Sequence, residues 1–248
     1  MAQIKATLLT HMGEDIDTVN AARVSFGKTS ELACVDRKLG LYEMKEGDQR
    51  LISYLGSHKH ISPFGHSFAR FHVKAPIFVA RQLVKHKFLR WNEISGRYVE
   101  FGIDPETGEE MPTEEVFYIP EKFRRAAEDK KQGSSDEEVT HITWEEDDWE
   151  GSFEAGGTTR QVYLNHSEEC LGLYQAAINN YVCPEQARML LPANLMTEWW
   201  WSGSLDAFAD MCKLRLKEDT QYESRLVAQD VDREMSKLFP HSWKALLS

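Results

Sequence analysis

The sequence contains no apolar run long enough to cross a membrane. A transmembrane helix needs about 20 consecutive, mainly apolar residues, whereas the hydrophobic 42% of this 248-residue chain is dispersed. Polar side chains interrupt the first residues at once, so they do not predict a signal peptide. We therefore expect a soluble, intracellular protein of the cytoplasm with no membrane partner.

Cysteine is scarce and shows no motif spacing. The sequence has no Cys-x-x-Cys pair and no mixed cluster of cysteine and histidine, which argues against a zinc site and a disulfide framework. None of the thiols lies in an arginine-rich segment, so we expect a reaction without a cysteine nucleophile. The four cysteines are Cys34, Cys170, Cys183 and Cys212.

Three histidines, His58, His60 and His66, fall within one short segment. Such a cluster raises the hypothesis of a metal site, but the segment contains proline and no partnering cysteine or carboxylate pattern. We therefore favour an interpretation without a bound metal.

The negative charge of the chain is concentrated in one segment. The net charge is −11, yet residues 100–150 alone hold 18 acidic and 5 basic side chains. Few aliphatic residues and several glycines and serines accompany these acids, as is typical of surface loops. We predict an acidic, partly disordered surface excursion at about residues 103–157 between two folded halves. The overall acidity also argues against nucleic acid as a partner.

The segment 81–98, RQLVKHKFLRWNEISGRY, has the opposite composition. It holds five cations, one imidazole and one carboxylate, with three aromatic side chains interleaved. Small Ser95 and Gly96 would let backbone N–H groups approach a ligand, and Arg97 can grip phosphate oxygens with two nitrogens. A solvated basic helix followed by a turn is the simpler alternative, but solvated faces rarely carry so many aromatic side chains. We predict an anion-binding site.

Periodicity places this segment after a strand and partly on a helix. Alternating polarity predicts a half-buried strand from Phe68 to Lys74. Pro76 is a favourable first residue for a helix that continues to about Phe88, and Asn92 to Arg97 predicts a loop. Residues four apart would share a helix face: Arg81 with Lys85, and Gln82 with His86.

The C-terminal half has a helical pattern. Apolar residues recur at three- and four-residue spacing, which indicates amphipathic helices packed on a core. Three consecutive tryptophans at 199–201 favour core or subunit-interface packing over base stacking. The first predicted helix carries apolar residues from Cys170 to Tyr181, and the second is opened by Pro184 and ends near Pro192. The third runs through Leu205 to Leu214, carries Arg215 and has Ser204 as N-cap. A last amphipathic helix, which contains Tyr222, Leu226, Met235 and Leu238, completes the predicted fold. Together with the strand, they indicate an α+β fold.

Lys85-His86-Lys87, followed after seven residues by Ser95, resembles the R-H-R-x7-S signature of flavin-dependent thymidylate synthases. Three further segments are similar to that family and occur in the same order. They are AARVSF at 21–26, HISPFGH at 60–66 with FHVKAP at 71–76, and the C-terminal positions Arg188, Pro192, Asn194 and Arg215. The similarity covers about residues 20–225, and four segments together are far more specific than one.

The resemblance implies a small antiparallel sheet flanked by several helices, in one α+β domain that spans residues 1–248. It also implies a homotetramer in which each active site is built at a subunit interface. The implied activity is that of a methyltransferase, the reductive methylation of dUMP to dTMP in nucleotide biosynthesis. Methylenetetrahydrofolate supplies the carbon, and FAD, reduced by NADPH, supplies the hydride.

The resemblance also assigns residues. Arg215 matches the catalytic position that contacts the uracil ring, where a fixed cation would favour loss of the N3 proton. The positions matched to dUMP binding are Arg81, Gln82, Lys85, Glu93, Ile94, Ser95, Gly96, Arg97, Arg188 and Arg215. The positions matched to FAD binding are His60, Ser62, Lys85, His86, Lys87, Glu93, Ser204 and Asp210.

The sequence departs from the family pattern at several flavin positions. Lysine replaces arginine at both ends of the signature triplet, and a compact ammonium cannot form a bidentate fork. Gly65 stands where many members have glutamate. Ser204, Asp206 and Asp210 stand where many carry Asn, Arg and Asn. An alternative function is therefore a nucleotide- or single-strand-binding flavoprotein scaffold without methylation activity.

Overall fold

The computed structural model describes residues 2–128, 133–148 and 151–248. In that part of the chain helices and small sheets intermingle, which confirms the α+β prediction. The strands are Lys5–Met12 (β1), Ala33–Asp36 (β2), Leu41–Glu43 (β3), Phe68–Pro76 (β4), Arg90–Glu93 (β5), Arg124–Ala126 (β6), Ser134–Glu138 (β7), His141–Asp148 (β8), Gly151–Thr158 (β9) and Met196–Ser204 (β10). The helices are Asp15–Arg23 (α1), Glu46–Ser57 (α2), Ile77–Leu83 (α3), Thr113–Val116 (α4), Thr159–Asn179 (α5), Pro184–Ala187 (α6), Leu205–Arg215 (α7), Tyr222–Leu238 (α8) and Pro240–Leu247 (α9). None of the described helices is both long and apolar enough to cross a membrane.

The chain forms two compact units. The first unit comprises Lys74–Arg81 and Glu93–Glu198, with the N-terminal residues up to Ile4. The second unit comprises Lys5–Val73, Gln82–Asn92 and Trp199–Ser248. The single domain expected for residues 1–248 stays a prediction.

The second unit contains most of a four-stranded sheet with strand order β1-β4-β10-β5. Along β4, Ala69, Phe71 and Val73 are buried, while the residues between them are partly or fully exposed, as the alternating pattern predicts. The buried face packs on α7, where the rings of Phe71 and Phe208 lie edge to face with centroids 5.3 Å apart. One face of the sheet therefore forms the core of this unit.

Two of the three consecutive tryptophans belong to that core. On β10, Trp199 and Trp201 are each 1% exposed, whereas Trp200 points to the opposite face and is 52% exposed. Trp91 of β5 stacks on Trp199 with ring centroids 4.2 Å apart. Core packing is thus confirmed for Trp199 and Trp201, and Trp200 lies on the open face of the sheet.

The core of the first unit is built on α5. Leu171 and Tyr174 of this helix are buried in a cluster with Phe117 and Leu195. The Tyr174 hydroxyl accepts a hydrogen bond of 3.3 Å from the backbone N–H of Phe101. Burial also raises the pKa of Tyr174, so the phenol is neutral at physiological pH.

The predicted C-terminal helices are present, but some of their ends differ. Helix α5 starts at Thr159, earlier than the predicted residue 170. The helix opened by Pro184 is interrupted, because a 3-10 turn at Arg188–Leu190 replaces its second half. Helices α7 and α8 lie where the apolar spacing predicts helices, but α8 is not the last helix, because α9 follows it at Pro240–Leu247. Ser204 occupies the N-cap position of α7, but its side chain makes no capping hydrogen bond, contrary to the prediction.

Helix α3 ends at Leu83, so the prediction of a helix to about Phe88 was wrong. The next amide that could continue it, that of His86, donates to the Leu83 carbonyl instead of the Gln82 carbonyl. The Gln82 carbonyl accepts from a side chain, the Arg215 guanidinium, at 3.3 Å. Phe88 has a φ of 66°, which no right-handed helix accommodates. Lys85 therefore lies on a turn and shares no helix face with Arg81.

The acidic segment forms strands in its described parts rather than an irregular loop. Strands β8 and β9 pair antiparallel from His141 opposite Thr158 to Asp148 opposite Gly151. Strands β6 and β7 form a second, shorter antiparallel pair. The predicted disorder is therefore wrong for these strands, and residues 129–132 and 149–150 lie outside the described part.

Candidate active site

The predicted site residues are divided between the two units. The first unit holds most of the residues matched to dUMP binding: Arg81, Glu93, Ile94, Ser95, Gly96, Arg97 and Arg188. The second unit holds nearly all of those matched to the flavin, together with the catalytic candidate: His60, Ser62, Gln82, Lys85, His86, Lys87, Ser204, Asp210 and Arg215.

In the first unit, Ser95 opens a tight turn. Its carbonyl accepts hydrogen bonds from the backbone N–H groups of Tyr98, at 2.9 Å, and Val99, at 3.1 Å. Its hydroxyl accepts a bond of 3.2 Å from Nε of Arg97. The terminal nitrogens of Arg97 make no hydrogen bond within the described part of the chain. The turn therefore presents a fixed guanidinium whose fork is available to an anion.

Gly96 connects this turn to Arg188. A Cβ at Gly96 would lie 2.5 Å from Cε2 of Phe101 and 3.5 Å from Cδ of Arg188, so only glycine fits here without displacement. Arg188 is exposed, and its Nε donates to the Glu185 carbonyl at 3.4 Å. The structure thus brings the Ser95–Arg97 turn and Arg188 together, and their role in binding a phosphate stays a prediction. Arg81 is exposed in the last turn of α3.

Glu93 and Ile94 are attached to β10 in the same unit. Oε1 of Glu93 accepts a hydrogen bond of 2.7 Å from the hydroxyl of Thr197, which is only 6% exposed. The N–H of Ile94 donates to the Glu198 carbonyl at 2.9 Å. Thr197 therefore orients the Glu93 carboxylate. Sequence reasoning missed Thr197, because its only signal is its place on the buried face of a strand.

In the second unit, Arg215 is held by two acceptors. Its Nε–H donates to Nε2 of His86 at 3.0 Å, and its Nη2 donates to the Gln82 carbonyl at 3.3 Å. Arg215 is partly buried, and burial lowers the pKa of its guanidinium. In the described part of the chain no carboxylate contacts this group. A partly buried cation without a counter-charge is an attractive position for an anionic or electron-rich ligand.

His86 is neutral in this arrangement. Burial, and secondly the positive charge of Arg215, lowers the pKa of His86 to about 4. Because Nε2 accepts from Arg215, the proton of the neutral imidazole must lie on Nδ1. Lys85 and Lys87, on either side, are exposed on the same turn.

The side chain of Gln82 is fixed from α8. Its Oε1 accepts a hydrogen bond of 3.0 Å from Ser224, and its Nε2 donates to Gln221. Neither Ser224 nor Gln221 was identified from the sequence, because they follow Gln82 by 142 and 139 positions and belong to no motif. Gln82 nevertheless lies beside Arg215, as the matched positions predict.

Ser204, one of the positions matched to the flavin, immediately precedes α7, and Ser62 lies in a neighbouring turn. The turn Ser62–His66 packs against this helix, and the Leu205 N–H donates to the Ser67 carbonyl at 2.9 Å. His60 lies edge-on to the ring of Tyr54, with centroids 6.0 Å apart. Asp210 is exposed on α7. Among the described residues no group of His, Cys, Asp or Glu side chains is arranged to hold a metal ion.

Whether these residues fit FAD can be judged from their charges and from one buried atom without a hydrogen-bond partner. The exposed ammonium groups of Lys85 and Lys87 suit a diphosphate. Oδ1 of Asp206 is buried without a hydrogen-bond partner, and a Cβ at Gly65 would lie 3.9 Å from it. An unpaired carboxylate oxygen suits a ribose hydroxyl or an adenine amino group and repels a phosphate. The donor set therefore fits FAD, provided that Asp206 meets a donor group.

The comparisons with known proteins agree with this geometry. The profile of the family described as "Thymidylate synthase complementing protein" matches residues 7–241. The chain belongs to this family, the flavin-dependent thymidylate synthases. A flavin-dependent thymidylate synthase of Thermus thermophilus is 36% identical over 96% of this chain and 73% of its own length. That of Kosmotoga olearia is 33% identical over 97% of this chain and 89% of its own length. The resemblance found in the sequence is thereby confirmed, as is the prediction of an enzyme.

A solved structure supports the family fold. It is that of a UMP/dUMP methylase from Streptomyces cacaoi bound with 5-Br dUMP. It superposes with a TM-score of 0.71 at 26% identity, covering 98% of this chain and 94% of the other. The α+β architecture of this family member is therefore the fold of a nucleotide methylase.

Proposed function

We propose that this protein catalyses the reductive methylation of dUMP to dTMP, with methylenetetrahydrofolate as carbon donor and NADPH as reductant. The observation that carries the proposal is the partly buried Arg215 guanidinium, which is held by His86 and the Gln82 carbonyl and contacts no carboxylate among the described residues. A uracil ring that develops negative charge supplies the missing counter-charge. The family and the nucleotide bound by the solved methylase support this substrate.

The Ser95–Arg97 turn and Arg188 bind the dUMP phosphate in this proposal. Two guanidinium groups lie at one turn whose glycine is packed too tightly to carry a side chain. Charge-assisted and bidentate hydrogen bonds are the strongest that a protein offers to a phosphate. This end of the nucleotide is therefore positioned by charge and by backbone shape together.

Arg215 acts on the uracil ring. A cation directed at the ring stabilises the anion formed when the N3 proton leaves, and this enriches the ring in electrons for attack on the one-carbon unit. In a site shielded from water such preorganised stabilisation is worth about 3–4 kcal/mol. Arg215 is thus the catalytic residue of the proposal, and Gln82 positions the nucleotide beside it.

Hydride transfer is the chemistry that FAD, reduced by NADPH, supplies when it is bound. Lys85 and Lys87 hold its diphosphate, and His60, Ser62, His86, Glu93, Ser204 and Asp210 complete its binding positions. An ammonium group acts as a point charge, so we expect these lysines to bind the diphosphate more weakly than arginines would.

Assembly and location follow from the same family resemblance. We propose a homotetramer with active sites at subunit interfaces, in which residues 1–248 act as one domain. We further propose that the protein works in the cytoplasm on free mononucleotides and binds no nucleic acid, in keeping with its net charge of −11.

Tritium release from 5-tritiated dUMP tests the reaction. Purified protein receives FAD, NADPH and methylenetetrahydrofolate, each omitted in turn, and release should require all three. Arg215→Ala should abolish release while bound flavin, measured by absorbance, is largely retained. Lys213→Ala, on an exposed position of the same helix, is the matched control and should remain active.

Two outcomes contradict the proposal. An active Arg215→Ala variant would refute the role of this residue. Absence of release from the wild-type protein, with flavin and dUMP both bound, would favour the alternative of a nucleotide-binding flavoprotein without methylation activity.

A further inference from the structure

The guanidinium of Arg215 has two edges that can form paired hydrogen bonds. One edge consists of Nε and Nη2, and the other of Nη1 and Nη2. The protein occupies the first edge completely, because Nε donates to His86 and Nη2 to the Gln82 carbonyl. The second edge has no acceptor within the described part of the chain. The bound edge therefore determines the direction in which the other edge points.

The two acceptors hold Arg215 with different specificity. The Gln82 carbonyl belongs to the backbone at the end of α3 and accepts at 3.3 Å. The imidazole of His86 accepts at the shorter distance of 3.0 Å, and as a ring nitrogen it has one lone pair in one direction. Removal of His86 would leave a single, longer hydrogen bond, about which the guanidinium can rotate.

We propose that His86 is a positioning residue that orients Arg215 toward the uracil ring through its neutral Nε2. This inference rests on the proposed function, since it gives Arg215 a pyrimidine to contact. It assigns to the central histidine of the Lys85-His86-Lys87 triplet a role that does not depend on direct contact with the flavin.

Substitutions of His86 that differ only in their acceptor test the proposal. His86→Leu removes the acceptor, whereas His86→Gln keeps an oxygen that can accept from Nε of Arg215. We expect His86→Leu to weaken dUMP binding, measured by calorimetry, about tenfold or more, as for loss of a hydrogen bond to a charged group. His86→Gln should recover most of that affinity. His166→Leu, an exposed histidine on α5, is the matched control and should bind dUMP normally.

A double-mutant cycle with Arg215→Ala separates this role from a general structural one. If His86 acts through Arg215, His86→Leu should add no further loss of dUMP affinity once Arg215 has been replaced. Equal losses in both backgrounds, or a His86→Gln variant as weak as His86→Leu, would overturn the proposal. Because His86 is also among the proposed FAD positions, dUMP affinity is compared at equal flavin occupancy; a His86→Leu variant with normal dUMP affinity at that occupancy would also overturn the proposal.

The double-mutant cycle is measured by the affinity for dUMP, so it does not depend on catalytic turnover. Tritium release by the wild-type protein tests the proposed function separately. If the two substitutions have additive effects on dUMP binding and the wild-type enzyme is active, the role of His86 is refuted and the proposed function is not. Absence of release from a protein whose cycle shows coupling would refute the methylation reaction and leave the orientation of Arg215 supported.

Discussion

Replacement of Gly96 by alanine should damage the turn that we propose to bind phosphate, through a defined steric conflict. The new Cβ would lie 2.5 Å from Cε2 and 3.3 Å from Cζ of Phe101, and 3.5 Å from Cδ of Arg188. The ring must therefore move by roughly 1 Å to reach ordinary contact, and its neighbour Tyr174 is fully buried. Overpacking of this kind costs about 1–3 kcal/mol of stability. Displacement of the Arg188 stem should also weaken dUMP binding.

Urea unfolding at one protein concentration measures the change in stability, and calorimetry measures dUMP binding. Gly172→Ala is the matched control, because Gly172 lies in the same unit on α5 with nothing within 4 Å of the added Cβ. It should stabilise the protein by about 0.5–1 kcal/mol. Phe101→Leu removes ring atoms, so it should relieve part of the loss when combined with Gly96→Ala. The steric argument would be refuted if Gly96→Ala had the same free energy of unfolding and the same affinity for dUMP as the wild-type protein.

Three further changes test other parts of the structure. Gly56→Ala would place a Cβ 2.4 Å from the backbone oxygen of Ala245, which cannot rotate away, so unfolding should show a loss of about 3 kcal/mol. Burial would raise the pKa of Asp48, but hydrogen bonds from Ser30 and Arg23 outweigh burial and lower that pKa. The stability that this group contributes is therefore present above its unfolded-state pKa and is lost as the pH falls through its folded-state pKa. Asp48→Asn should accordingly make the free energy of unfolding less dependent on pH in the acid range. His86 should stay neutral down to about pH 4 in an NMR titration, and Arg215→Ala should raise its pKa by removing the second of its two causes.

Elements with a strong period were predictable from the sequence. Alternation along β4 and the three- to four-residue spacing on α7 and α8 reflect burial on one face, and each of these patterns is local. The end of α3 was not predictable in this way. The Gln82 carbonyl at this end accepts from Arg215, a residue 133 positions later, and no local pattern contains that contact.

The site shows the same division between local and distant information. Gly96 and Arg97 lie on one turn close to Arg188, and the family resemblance groups these three residues as candidates for one site. The side chains that orient the site, Thr197 and Ser224, are ordinary residues on a strand and a helix. Their importance follows from which atom they face, and that is determined by packing between segments far apart in the chain.

The burial of the signature triplet explains which of its positions can change. Lys85 and Lys87 are exposed, and at an exposed position an ammonium can supply the positive charge that a diphosphate requires, even without a bidentate fork. His86 is half-buried, its Nε2 accepts from Arg215, and a cationic side chain in its place would repel that guanidinium in a dehydrated position. We therefore expect the two ends of the triplet to require a positive charge and the centre to require an acceptor that is not a cation. Lys-His-Lys satisfies both requirements, which is why we expect the replaced arginines to affect the affinity for FAD more than the activation of the uracil ring.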